Sequence, residues 1–177
     1  MKRTFALLLS LTCLVIVVSA QEIVSTNKPE TNLSTEKGFI TINELHFGFG
    51  LGVTSVPYSK SFFGFTTING YQFNKSIIAA AGTGLSFYNG GLLVPLFLDF
   101  RYRFYIGQYT PYVFADGGFM LNFSDFNNSK LFVNPGVGVR YAFTNNWAAN
   151  LGAGLLVQRG ALRDSFINFK MVATYKF

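Results

Sequence analysis

From residue 38 onward the chain alternates with a period of two. Between Asn43 and Val53, Leu45, Phe47, Phe49, Leu51 and Val53 share one face of an extended strand, and Glu44, His46, Gly48, Gly50 and Gly52 share the other. Such alternation is the signature of a strand, because its successive side chains point to opposite faces. Leu92 to Phe104 repeats it: Leu92, Val94, Leu96, Leu98, Phe100, Tyr102 and Phe104 oppose Leu93, Pro95, Phe97, Asp99, Arg101 and Arg103. In the last stretch Ile167, Phe169, Met171, Ala173, Tyr175 and Phe177 oppose Asn168, Lys170, Val172, Thr174 and Lys176. Segments of this kind predict eight strands, at roughly 39–51, 61–73, 76–87, 92–104, 110–122, 131–143, 147–158 and 166–177. Turn-formers separate them, among them Pro57, Asn74-Lys75, Asn89-Gly90-Gly91, Asn145-Asn146 and Gly160. The strands are longer than the 5–6 residues usual in globular proteins and long enough to cross a bilayer, which takes ~9–11 residues when tilted. Long strands in even number with short connections predict an all-β fold, an eight-stranded antiparallel up-and-down transmembrane β-barrel over 38–177.

Which face meets lipid follows from what each carries. One is nearly all Leu, Val, Phe, Tyr and Ala. The other is crowded with glycine and carries Glu44, Asp99, Arg101, Arg103, Asp116, Arg140, Lys170 and Lys176. Eight strands enclose a space that side chains can fill. Glycines mixed with charges suit that interior and leave the bulky apolar face for lipid. Aromatics gather near the strand ends (Phe62, Phe63, Tyr71, Phe73, Phe104, Tyr105, Tyr109, Phe143, Trp147, Tyr175 and Phe177), as interfacial girdles do. In a narrow interior, charges must pair or each costs several kcal/mol. A structural ion network of Glu44, Asp99, Arg101, Arg103, Asp116 and Arg140 is therefore expected, with Glu44 or Asp116 in salt-bridge range of Arg101 or Arg103. A soluble secreted ligand-binding barrel with the apolar face inside is an alternative, as is a narrow channel lined by these charges.

Composition narrows the classes further. Only 12% of residues are charged and 18% are aromatic, against about 25% charged in a soluble domain. Disorder is excluded by the aromatics. The net charge of +6 is scattered, so there is no basic patch of the kind that binds nucleic acid. Lys2 and Arg3, the apolar run Phe5 to Val18 and the small residues Val18-Ser19-Ala20 have the layout of a secretory signal peptide over 1–20, cleaved after Ala20. Cys13 lies inside that apolar run behind Thr12, which disfavours lipidation, so cleavage leaves a cysteine-free chain. Residues 21–37 are polar and include Pro29, reading as a flexible lead.

These features together resemble the small Gram-negative outer-membrane barrels of the OmpA/OmpX-like kind. The resemblance covers about 38–177. It rests on the alternating run that ends in Tyr175 and Phe177, and on "INGYQFNKSIIAAAGTGLSFY" (68–88) and "LLVPLFLDFRYRF" (92–104), which are similar to a "G-x-G-x-G…PxFxxxRY" run of such barrels. The resemblance implies an outer-membrane location and a monomer surrounded by outer-membrane lipid and lipopolysaccharide. It makes Tyr175 and Phe177 a signal for the barrel-assembly machinery. With strand 1 starting in the periplasm, the connections near 52–60, 88–91, 123–130 and 159–165 face outside. Ser124, Asp125, Phe126, Asn127, Asn128, Ser129, Lys130, Arg159, Arg163 and Asp164 could touch a ligand there. Architecture does not fix activity, and the expected role is structural or surface-interacting.

Candidate chemistry is sparse. His46, the sole histidine, shares its inward face with Glu44, a possible base and orienting carboxylate. Some barrels of the resembling kind modify lipid A, so a lipid-modifying enzyme is an alternative. Such a site must meet lipid with a serine beside the histidine. Here His46 points inward and no serine stands in an obvious pairing. One histidine without cysteine cannot supply the usual nitrogen or sulfur ligands of a metal. The Gly-x-Gly runs at 48-50-52, 82-84, 136-138 and 152-154 lie within strands, whereas a dinucleotide loop needs a strand, a tight turn and a helix start. No cofactor and no catalytic residue is expected.

Overall fold

The computed structural model describes residues 37–52, 60–104, 108–123, 129–160 and 163–177. The signal peptide, the lead up to residue 36, Tyr105 and Ser124 to Asn128 lie outside the described residues. Eight strands follow one another: β1 (Gly38–Gly50), β2 (Ser61–Gln72), β3 (Ile77–Tyr88), β4 (Gly91–Arg103), β5 (Tyr109–Leu121), β6 (Lys130–Ala142), β7 (Trp147–Arg159) and β8 (Arg163–Lys176). Each pairs antiparallel with its successor, and β8 pairs with β1 from Ile40↔Lys176 to Gly50↔Phe166. The sheet is thereby closed, with no edge left to pair with another chain. β8 starts three residues before its expected edge, because Arg159↔Arg163 and Gln158↔Asp164 still pair beyond the apolar stretch. Lys130 on β6 holds Asp164 there at 2.6 Å.

Both ends of the described barrel, at Gly38 and Phe177, lie at the end that also carries the β2–β3, β4–β5 and β6–β7 turns, called here the turn end. Side-chain caps shape these turns. Asn74 Oδ1 accepts from the amides of Ser76 and Ile77, each at 2.8 Å, and Thr144 Oγ1 accepts from the Trp147 amide at 3.0 Å. At the opposite, loop end, β3 and β4 are joined by Asn89 and Gly90 alone, and the tightness falls on Gly91 with φ of 141°. Few residues other than glycine tolerate that backbone.

Inside and outside divide as the alternation predicts. Leu45, Phe47, Leu96, Leu98, Phe169 and Met171 are exposed on the outer face, Leu98 to 71%, whereas Glu44, Asp99, Arg101 and Lys170 are buried. A soluble barrel would show the reverse. At the turn end the outer aromatics form a near-continuous belt. Phe39, Tyr71 and Phe73 pack edge to face, Tyr141 meets both Tyr109 and Phe143, and Tyr175 meets both Trp147 and Phe177, with ring centres 4.8–5.3 Å apart. Such belts sit at membrane–water interfaces. Phe62 is a correction to the expected girdle. It points into the lumen, 5% exposed, and stacks on Tyr88, because its position on β2 is even with inward Gly64 and Thr66.

Candidate functional site in the lumen

The barrel interior is layered along its axis. Toward the loop end lies an apolar plug of Phe62, Leu93, Phe97, Phe132, Leu156 and Phe166, all buried. Tyr88 is drawn into it and accepts a hydrogen bond from Gln158 Nε2. A layer of charge comes next. β4 places Asp99, Arg101 and Arg103 at successive inward positions, and Asp99 stands directly opposite Asp116 of β5. Like charges opposite each other destabilise a sheet, so both carboxylates need a cation.

Two side chains that span the lumen supply it. From β4, Arg101 donates through Nε to Asp99 Oδ1 at 2.9 Å and through Nη2 to Glu44 Oε1 on β1 at 2.5 Å. From β8, Lys170 donates to Glu44 Oε2 at 2.9 Å and to Asp116 Oδ2 on β5 at 2.5 Å. Glu44 therefore takes both cations, and Thr66 Oγ1 donates to it at 3.5 Å. Asp116 accepts a further bond from Asn134 Nδ2 at 2.9 Å. Lys170 also stands 4.4 Å from the centre of the Phe114 ring, within the range of a cation–π contact. Strands β4 and β1, and β8 and β5, are not neighbours in the sheet, so these pairs act as cross-braces through the interior.

The structure thus brings Glu44, Asp99, Arg101 and Asp116 together and adds Lys170, which the expected network omitted. Lys170 becomes a member only when β8 closes on β1 and sets His46↔Lys170 in register. Arg103 and Arg140 do not join. Among the described residues neither makes an ion pair with a carboxylate, because they lie nearer the turn end, at a level where the inward neighbours are Tyr112, Asn150 and Lys176.

His46 is also a correction. A serine does face it: Ser86 Oγ lies 3.3 Å from His46 Nε2, and both are buried. The serine comes from β3, two strands away, and the register His46↔Gly64↔Ser86 explains how the side chains meet. Gly64 leaves the space between them open, since a Cβ there would collide with His46 Nε2 and with the Leu85 carbonyl. The imidazole edge rests on Phe62, 5.6 Å between ring centres. No carboxylate among the described residues is hydrogen-bonded to His46, and the pair faces the interior rather than the lipid side.

An eight-stranded closed barrel with an apolar exterior, an aromatic belt and a polar, braced interior is the architecture of the small outer-membrane barrels. Neither a protein-family model nor a curated protein matches the sequence. Among solved structures the chain is similar to Neisserial surface protein A, at 16% identity over 80% of this chain and 99% of that one, with a TM-score of 0.56. The attachment invasion locus protein Ail of Yersinia pestis has 14% identity over 80% and 100% of the two chains and a TM-score of 0.48. The N-terminal barrel domain of Pseudomonas aeruginosa OprF has 18% identity over 79% and 100%, with a TM-score of 0.47. The likeness to Neisserial surface protein A is one of fold, and it covers the whole barrel.

Proposed function

We propose that the protein is an integral outer-membrane barrel with a structural or surface-interaction role and a closed lumen. On this reading residues 1–20 direct export and Tyr175 and Phe177 engage the barrel-assembly machinery. Outer-membrane lipid and lipopolysaccharide then surround a monomer. The observation that supports it most is the pairing of an exterior exposing Leu98, Phe119 and Val137 by 57–71% with an interior braced by Arg101–Glu44 and Lys170–Asp116. A band of apolar surface of that extent around every side of a closed sheet suits lipid contact, and a braced interior of this width leaves no pore.

Two measurements test it. Outer-membrane extracts run on SDS gels should show the unboiled protein migrating faster than the boiled form, and the purified barrel in planar bilayers should show no large steady currents. Recovery in the soluble fraction would defeat the membrane reading, and porin-like conductance would replace the closed barrel with a channel. The His46–Ser86 pair gives the enzyme alternative a definite form. His46→Ala and Ser86→Ala should leave the lipid A mass spectrum unchanged, and a mass change restored by the wild type would make the barrel a lipid-modifying enzyme.

A further inference from the structure

At the turn end, below the charged layer, the lumen holds a cavity of about 30 Å³ to which all eight strands contribute, among them Gln72, Arg103, Tyr112, Arg140, Asn150 and Lys176. Its polar lining is donor-rich. Arg103 is 5% exposed, yet among the described residues its Nε and Nη2 have no hydrogen-bond partner, and the same holds for Gln72 Nε2 and the Tyr112 hydroxyl, in residues each 3% exposed. Arg140, whose Cα partner is Asn150, adds a second guanidinium. The inward carboxylates Glu44, Asp99 and Asp116 are committed to Arg101 and Lys170. Buried donors are nearly always satisfied, and a buried charge without a counter-charge is among the most costly features a fold can carry. Four unpartnered donor atoms on three strands, in residues lining one chamber with two guanidinium groups, specify an acceptor carrying negative charge.

We propose that this chamber is a binding site for a single phosphate-class oxyanion. The volume admits one small polyatomic ion and little more, since one water takes about 10–15 Å³ on the same measure. Guanidinium forks match the oxygens of such an ion two at a time. Asn150 sharpens the choice. It lines the chamber; its Nδ2 donates to Thr174 Oγ1 at 3.0 Å, and its buried Oδ1 has no partner among the described residues. An oxyanion that keeps a P–OH satisfies this acceptor as well as the donors, whereas sulfate offers it no hydrogen. The ion supplies the counter-charge that Arg103 and Arg140 find in no carboxylate of the described residues. The site stands independently of the role proposed above.

The test uses the purified mature barrel in a phosphate-free detergent. Thermal unfolding is followed against sodium phosphate, against sulfate, against chloride at matched ionic strength, and against a water-soluble short-chain phosphatidylglycerol. Phosphate should raise Tm saturably, beyond chloride, and more than sulfate. Arg103→Gln and Arg140→Gln should each weaken this response by about tenfold or more, the loss expected for charge-assisted hydrogen bonds. Without phosphate, Arg103→Gln should melt no lower than the wild type, because it removes an unpaired buried charge. This inversion between phosphate-free and phosphate-saturated melting would not arise if Arg103 were only a packing residue. Should Arg103→Gln fail to fold, Gln72→Leu reads the same response through a neutral donor. A stronger effect of the short-chain lipid than of inorganic phosphate would assign the same site to a lipid headgroup. A phosphate response no larger than that of chloride, or one retained in both arginine variants, would overturn the proposal.

Discussion

Lys170→Met removes the cation on which Asp116 depends. In the folded barrel Lys170 Nζ lies 2.5 Å from Asp116 Oδ2 and 2.9 Å from Glu44 Oε2. Its loss affects the two carboxylates unequally. Glu44 keeps Arg101 at 2.5 Å. Among the described residues Asp116 then keeps only the neutral Asn134 Nδ2 at 2.9 Å, its Oδ1 has no partner, and Asp99 stands directly opposite on β4. Breaking a buried pair by removing one partner costs about 3–5 kcal/mol, mostly because the survivor is stranded. Loss of the cation–π contact with Phe114 adds about 0.5–2 kcal/mol. The expected destabilisation is thus about 3.5–7 kcal/mol, borne chiefly by Asp116. If so, replacing both members, Lys170→Met with Asp116→Leu, should recover most of the loss, since apolar substitutes for a buried pair are often neutral or stabilising. Reversible urea unfolding in lipid vesicles measures this, with Trp147 as the only tryptophan and its indole on the turn-end belt. Lys170→Met within about 1 kcal/mol of the wild type, or a double variant as unstable as the sum of the singles, would refute the cross-brace.

Other perturbations separate the two faces of the sheet and the space within it. Leu96→Arg, on a residue 47% exposed outside, should cost ~2–4 kcal/mol in vesicle refolding if it lies near the bilayer midplane. Inward Phe97→Ser should leave insertion intact and lower stability by opening a cavity beside Phe132; normal refolding of Leu96→Arg would reverse the face assignment. Gly136→Ala sets a Cβ against the Phe114 ring and the Ala153 carbonyl and should lose about 1–3 kcal/mol by overpacking, read from the shift in urea midpoint. Deleting Phe177, or Phe177→Lys, should lower the amount of heat-modifiable barrel in outer membranes and raise periplasmic degradation, and unchanged levels would remove the assembly-signal role.

The fold was legible because alternation is a local property. A period of two over runs such as Leu92 to Phe104 is enough to identify strands, their even number and their two faces. The dearth of charge then places the apolar face outside. Strand edges came within three residues, limited by pairings such as Arg159↔Arg163 that continue where the apolar pattern has stopped. Alternation also assigned Asp99, Arg101 and Glu44 to one interior, since each is fixed by parity on its own strand. Partner choice inside that interior is not local. Whether Arg101 reaches Glu44 depends on the level of β4 relative to β1 across the lumen, and levels are set by registers that only barrel closure defines. For that reason alternation does not single out Lys170, places Arg103 and Arg140 with a layer they do not reach, and carries no sign of Ser86 two strands from His46. The sequence alone determines which residues face inward; the closed tertiary structure decides which of them share a level, because stagger around a barrel accumulates strand by strand and no single strand carries it.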